Sequence, residues 1–287
     1  MKGIILAGGS GSRLYPVTKV YSKQLTLIYD KPLIYYPLSM LMLGGIKDIL
    51  IISNKETIPL YKQLFDSGSQ LGLNIEYAIQ AAPNGIAEAF IIGEKFISSD
   101  CVTLVLGDNI FYGNLEFFYK ALKKNVNATI FGYQVNDPER YGVIEFDGDG
   151  NALSIEEKPA KPKSNYAVPG IYIYDNEVVS ISKNLKPSAR GELEITDVNR
   201  EYLKGGKLKV EKIGRGVAWL DTGTPEALLQ AANFFGVIEQ RQGLKVGCVE
   251  EIAFRMSFIS RDKFGKLINL IPKSSYRNYL ERILNDN

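Results

Sequence analysis

Gly8-Gly9-Ser10-Gly11-Ser12 follows a short apolar run, Lys2–Ala7, and leads into Arg13 and then Lys23 and Gln24. Glycines lack a Cβ, so backbone N–H groups there can approach an anion closely, and the two cations can neutralise it. A strand, a glycine turn and two cations in this order suggest a seat for a polyphosphate. A tight strand–turn with a surface arginine is the plainer alternative. Neither common nucleotide loop is present. G-x-x-x-x-G-K-[ST] does not occur, and G-x-G-x-x-G fails because Leu14 stands at its last position. Pro16 interrupts any long helix that would open directly after the turn.

The chain contains no histidine. Ser-His-Asp and Cys-His arrangements, zinc hydrolase sites and imidazole bases are therefore excluded. Chemistry must rest on Asp, Glu, Lys, Arg, Tyr or a bound metal. Phosphoryl and nucleotidyl transfer suit that restriction, because they depend on positioning and charge neutralisation. Cys101 and Cys248 make neither a disulfide framework nor a metal-ligand spacing, and Cys101 reads as a small buried hydrophobe. A net charge of +2 over 287 residues gives no electrostatic case for a nucleic-acid partner. The longest apolar stretch, Leu33–Ile46, falls short of the ~20 residues that span a bilayer. With no targeting segment, the expectation is a cytoplasmic protein with no membrane partner.

The elements that must position these residues alternate. Strands are expected at Lys2–Ala7, Asp48–Ser53, Ile75–Ala78, Cys101–Leu106 and Ala128–Val135, and helices at Leu33–Leu43, Thr57–Phe65, Ile86–Phe96 and Glu116–Lys123. Repeated βα units imply a doubly wound, mostly parallel α/β sheet covered on both faces. From Tyr141 the texture changes. Gly142–Phe146 and Ala152–Glu156 read as a hairpin around Asp147-Gly148-Asp149-Gly150. Further strands are expected at Ala167–Tyr174, Leu208–Ile213 and Val217–Leu220. Helices are expected at Gly191–Leu203, with Glu192 and Glu194 in its first turn, and at Pro225–Gln240. Residues from about Glu250 to Asn287 form a tail with two helical patches. No linker interrupts the chain, so one domain is expected over residues 1–287. Residues 1–140 would mainly bind nucleotide, 141–240 sugar phosphate, and 241–287 would serve oligomerisation or regulation.

The string L-A-G-G-x-G-[ST]-R-L-x-P…K-Q-L…D-K-P occupies Leu6 to Pro32. It is followed in order by Leu106-Gly107-Asp108-Asn109, Glu156-Glu157-Lys158-Pro159, Lys163–Val168, Ser188–Asp197 and Trp219–Thr224. Together these motifs resemble those of the sugar-1-phosphate nucleotidylyltransferases, most of all the short bacterial glucose-1-phosphate thymidylyltransferases. The similarity runs from Met1 to about Ile259. The fold it implies is a Rossmann-like nucleotidyltransferase sheet with an inserted β-rich sugar-binding half and a helical C-terminal tail.

The resemblance also implies a reaction: Mg²⁺-dependent transfer of dTMP from dTTP to glucose 1-phosphate, giving dTDP-glucose and pyrophosphate as the first step of deoxysugar synthesis. UTP, or another sugar 1-phosphate, is the alternative. A non-catalytic sugar-nucleotide sensor is a further reading, against which the full set of charged motif residues stands. Asp108 and Asp221 would hold the metal, a hard ion that prefers oxygen donors. Arg13 and Lys23 would neutralise the leaving pyrophosphate. Leu6, Gly8, Gly9, Gly11, Ser12, Arg13, Lys23, Gln24, Gln80, Pro83, Gly85 and Asp108 would bind the nucleotide. Gln24 and Gln80 would read the base, although a glutamine amide can rotate to suit another base. Lys158 and Arg190 would hold the sugar phosphate, and Gly142, Glu157 and Val168 the sugar. The relatives imply a homotetramer with a regulatory dTDP-sugar site near Asn109–Leu115. Departures from the motifs are Ser12 for threonine, Thr26-Leu27 under the base loop, Asn114-Leu115 where relatives carry a histidine, and Pro169 before Gly170.

Overall fold

The strands are β1 (Lys2–Leu6), β2 (Leu27–Ile28), β3 (Lys31–Pro32), β4 (Asp48–Ser53), β5 (Asn74–Ile79), β6 (Val102–Leu106), β7 (Asn109–Tyr112), β8 (Ala128–Gln134), β9 (Gly142–Phe146), β10 (Ala152–Glu157), β11 (Tyr166–Ala167), β12 (Ile171–Tyr174), β13 (Leu208–Lys212) and β14 (Ala218–Asp221). The structure, a computed structural model, describes residues 1–9, 11–123 and 127–286. Ser10 of the glycine turn and Asn287 of the tail lie outside the described residues.

Ten strands form one mixed sheet in the order β10-β9-β11-β8-β12-β6-β1-β4-β5, with β13 beside β8. The half made by β5, β4, β1 and β6 is all parallel. β12 runs antiparallel between β6 and β8, and β9, β10 and β11 complete the far edge through antiparallel pairs. The parallel strands are apolar throughout because both faces are covered. Ile5, Ile49, Ile51 and Val105 enter one core, while Ile4, Leu50, Ile52 and Leu104 enter the other. Successive side chains of a strand point to opposite faces, so each strand feeds both layers.

Several expected elements change at their ends. The strand read over Ala167–Tyr174 is two strands, separated by Val168-Pro169-Gly170. Pro169 has no N–H for a ladder. The break turns Val168 N–H to Gly142 O and Gly170 O to Leu106 N–H. The helix read from Gly191 begins instead at Ile195 and runs to Lys204. Leu193 N–H is spent on Asn84 O, and Leu193 O on Ala87 N–H, so neither can join a helical ladder. Glu194 takes the N-cap position, and its carboxylate turns to Ser188 and Arg190 instead of the helix N–H groups. The helix read over Ile86–Phe96 is divided at Gly93 into Glu88–Ile92 and Glu94–Ile97.

The tail holds three helices, Val249–Arg255, Arg261–Leu270 and Ser275–Asn285, where two patches were expected. Ser260 and Ser274 cap the last two by accepting from Lys263 N–H and Arg277 N–H. Their apolar stripes, including Phe264, Ile268, Leu280 and Ile283, close the larger core. A buried ion cluster also ties this end of the chain to the segment after Gln24. Lys31, 2% exposed, pairs with Glu239 at 3.1 Å and with Asp30, and Lys245 pairs with both acids.

The sequence reading missed β7, which lies off the main sheet and pairs antiparallel with β14. This small ribbon sets Asp221 opposite Asn109, next to Asp108 at the carboxyl end of β6. Ligand sites of open parallel sheets lie at that end.

Candidate active site

A cleft opens where β1, β6 and the start of the second half meet. One cavity in it, about 320 Å³, is lined by Leu6, Gly8, Gly9, Arg13, Gln24, Gln80, Pro83, Gly85 and Asp108, all expected from the sequence to bind nucleotide. Ile86, Leu106 and Glu192 line it too and were not. Gly11, Ser12 and Lys23 are not on its wall. Gly11 has φ +56° and opens the short turn Ser12–Leu14, with its carbonyl accepting from Thr18 Oγ1. Lys23 is turned to the carboxylate of Asp108, with Nζ 2.6 Å from Oδ2.

Gln24 and Gln80, the glutamines expected to read the base, are both buried and bonded. Gln24 accepts Ser22 Oγ–H at 2.7 Å and donates to Gly8 O at 3.2 Å. Gln80 Nε2 donates to Gly85 O at 3.1 Å and to Glu88 Oε2 at 2.8 Å. The neighbouring loop is held against the second half by the Asn84–Leu193 backbone bond of 2.6 Å.

Asp108, on the wall of this cavity, meets Asp221 where β14 pairs with β7. Thr222 ties the two strands by donating both N–H and Oγ1–H to Asp108 O, at 3.2 and 2.8 Å. Burial and, after it, the like charge of Asp108 hold the Asp221 carboxyl above its ordinary value, against the pull of Lys23, Arg140 and Arg13. The Arg140 guanidinium lies 3.7 Å from Asp221 and is itself held by Asp137 at 2.7 Å. Among the described residues no cluster of three or more His, Cys, Asp or Glu side chains could hold a metal. The donors here are two carboxylates and no soft ligand. Such a set suits Mg²⁺, which keeps several waters and takes phosphate oxygens beside one or two carboxylates.

A second cavity, about 230 Å³, continues the cleft and shares Arg13, Ile86, Leu106 and Asp108 with the first. Gly142, Glu157, Lys158 and Val168, expected on the sugar side, line it, and so does Asp221, expected as a metal ligand. So do Asn109, Arg140, Tyr141, Thr196 and Trp219, which the sequence reading did not assign. Asn109, Thr196 and Trp219 stand within motifs it quoted. Thr196 Oγ1 donates to Glu157 Oε2 at 2.6 Å, and Trp219 Nε1 to Asn109 Oδ1 at 2.6 Å. Burial, with the charge of Asp221 next, pushes the Tyr141 hydroxyl up to about 12, so it stays protonated at neutral pH. Lys158 has φ +44° where the hairpin ends, and its ammonium is half exposed. Arg190 is not on the wall of either cavity. Glu194 grips it, with Nη2 2.9 Å from each carboxylate oxygen, while Glu157 and Glu192 stand 3.7 and 3.8 Å away.

A glycine turn at the end of a parallel strand, paired carboxylates and a cation-bearing second cavity define a nucleotidyl-transfer enzyme as a class. The model of the nucleotidyl transferase family matches residues 2–237. The glucose-1-phosphate thymidylyltransferase of Neisseria meningitidis (serogroup A) is 55% identical, over 99% of each chain. That of Mycobacterium tuberculosis is 53% identical over all of both. A solved structure from Bacillus anthracis, a candidate glucose-1-phosphate thymidylyltransferase in complex with sucrose, superposes with a TM-score of 0.76. It is 43% identical and covers 82% of this chain and 94% of its own. The chain belongs to the nucleotidyl transferase family and, within it, to the glucose-1-phosphate thymidylyltransferases.

Proposed function

We propose that this enzyme transfers dTMP from dTTP to α-D-glucose 1-phosphate, releasing pyrophosphate and forming dTDP-glucose. The observation that carries the reading is the single cleft whose two cavities meet at Arg13 and Asp108. The names of the full-length relatives support the choice of substrates.

In this reading Gln24, Gln80 and the backbone near Pro83 and Gly85 hold the base. Gly8, Gly9, Gly11 and Ser12 carry the triphosphate. Arg13 and Lys23 take the charge of the β- and γ-phosphates. Lys158 and Arg190 hold the sugar phosphate, with Glu157 and the backbone of Gly142 and Val168 on the sugar. A phosphate oxygen of glucose 1-phosphate attacks the α-phosphorus. The new P–O bond forms as the bridging α–β bond breaks, and its electron pair leaves with pyrophosphate. The attacking phosphate, with a second pKa of about 6, is already ionised at neutral pH, so the lack of an imidazole base costs nothing. Holding it in line replaces an encounter between reactants by a positioned one. Asp108 and Asp221 would hold Mg²⁺, which when bound neutralises charge on the nucleotide phosphates.

The division of labour follows the chain: residues 1–140 mainly for nucleotide, 141–240 for sugar phosphate and 241–287 for assembly or regulation. The family resemblance supports a cytoplasmic homotetramer with a regulatory dTDP-sugar site. Exposed Leu229 and Val237 on the helix Pro225–Gln242 offer apolar surface for such an assembly. Among the described residues no helix is long and apolar enough to cross a membrane.

The test is pyrophosphate release with Mg²⁺ and glucose 1-phosphate, with dTTP and UTP side by side. Release should require the sugar phosphate and favour dTTP, and folded Asp108→Asn and Asp221→Asn variants should lose it. Full turnover in those variants would remove the assigned metal ligands.

A further inference from the structure

Gln80, next after β5, is 6% exposed. Both partners of its Nε2, the Gly85 carbonyl and the Glu88 carboxylate, can only accept. The nitrogen must therefore face them, and both of its hydrogens are used. The oxygen lies on the other side, above Gly8. A Cβ built on Gly8 would come within 3.0 Å of Gln80 Oε1. Gly8 and Gln80 line the same cavity, so Gln80 presents to it an acceptor and no donor.

Gln24 is the complement. Its Oε1 accepts from Ser22, and one Nε2 hydrogen goes to Gly8 O. One N–H is left to give. The pair thus offers one acceptor and one donor. Thymine and uracil answer that pattern with the N3–H given to the Gln80 oxygen and an adjoining carbonyl accepting from Gln24. Cytosine in that same seat would set its bare N3 against the Gln80 oxygen, lone pair against lone pair.

What holds Gln80 in this sense is a residue outside the sequence motifs. Glu88 opens the helix Glu88–Ile92. Its Oε2 accepts from Gln80, and its Oε1 accepts from Asn84 Nδ2 at 2.8 Å. One carboxylate therefore spans the base loop from end to end. We infer that Glu88 is a positioning residue that fixes the Gln80 amide and so sets a preference for imide-bearing pyrimidine nucleotides over cytosine nucleotides. The inference rests on the nucleotide reading of the cavity. Without an acceptor at position 88 only the Gly85 carbonyl still holds the nitrogen, so turning the amide to give an N–H to a cytosine N3 breaks one hydrogen bond instead of two.

The experiment measures Kd and KM for dTTP and CTP, with kcat and melting temperature, in the wild type, Glu88→Leu, the smaller Glu88→Ala, Glu88→Gln and Gln80→Ala. Glu88→Leu or Glu88→Ala should narrow the dTTP-to-CTP ratio about tenfold, the scale of one recognition contact, through KM more than kcat. Glu88→Gln keeps an acceptor and should restore most of the ratio. An unchanged ratio in a folded variant without the acceptor would overturn the inference. So would Glu88→Gln losing as much as Glu88→Leu. If Gln80→Ala shifts the ratio while both acceptor-free variants do not, only the role of Glu88 falls. If Gln80→Ala leaves the ratio and the dTTP affinity untouched, the nucleotide reading of this cavity falls with it.

Discussion

Replacing Gly85 by alanine tests whether the two halves of the cleft are locked to each other. Gly85 has φ +106°, and a Cβ there would lie 2.3 Å from Leu193 O and 2.5 Å from Leu193 N. Backbone atoms cannot swing aside like the end of a side chain. An alanine at such a φ costs about 1–3 kcal/mol in strain. The clash also forces apart the Asn84–Leu193 and Leu193–Ala87 hydrogen bonds, each with a net value of about 0.5–1.5 kcal/mol. The expected loss is therefore about 2–6 kcal/mol. At about 2 °C per kcal/mol for a chain of this size, the melting temperature should fall by about 4–12 °C. Leu193 belongs to the tight turn that carries Arg190, closed by Ser188 N–H to Glu192 O and Gly191 N–H to Ser188 O. Any relief of the clash must shift that turn. KM for glucose 1-phosphate should therefore rise together with KM for dTTP, although Gly85 stands on the nucleotide side alone. Thermal melts and initial rates with each substrate varied would decide it. A variant melting within a degree of the wild type, with both KM values unchanged, would refute the reasoning.

The Asp221 carboxyl is held above its ordinary value of 3.8 by burial and by Asp108, so the folded state binds its proton more tightly than the unfolded chain does. Stability should then fall as pH rises from that value through the raised folded one, and level off above it. Melts in EDTA should show Asp221→Asn gaining on the wild type across that window, while Mg²⁺ should raise only the wild type. Thymine and uracil share the edge that Gln24 and Gln80 address and differ by a methyl. UTP should therefore be used with kcat/KM reduced by about 10–200-fold, and complete refusal of UTP would point to a contact not considered. Tyr279→Phe removes the hydroxyl that donates to buried Glu251, which also accepts from Arg255 at 2.7 Å. A loss of about 1–2 kcal/mol in urea unfolding is expected, with kcat unchanged.

Most of the parallel half was legible from short apolar runs between turn signals. β1, β4 and β6 lie within a residue of where they were read, because burial on both faces leaves an unbroken hydrophobic run. The glycine turn, both aspartates, both glutamines and Glu157-Lys158 were legible from residue type and order. Three things were not. The helix expected from Gly191 starts only at Ile195 because Leu193 bonds to Asn84, more than a hundred residues earlier. The meeting of Asp108 with Asp221 depends on the register of β7 with β14. The orientation of Gln80 depends on Glu88, which the sequence shows only as a polar residue at a helix start. The residues alone therefore determine the alternation of strands and helices and the kinds of group available for phosphate and base. The tertiary structure decides which of those groups meet and which way an amide faces. Periodicity and composition record a residue's burial within its own element, whereas hydrogen-bond partners are set by the register between elements distant in the chain.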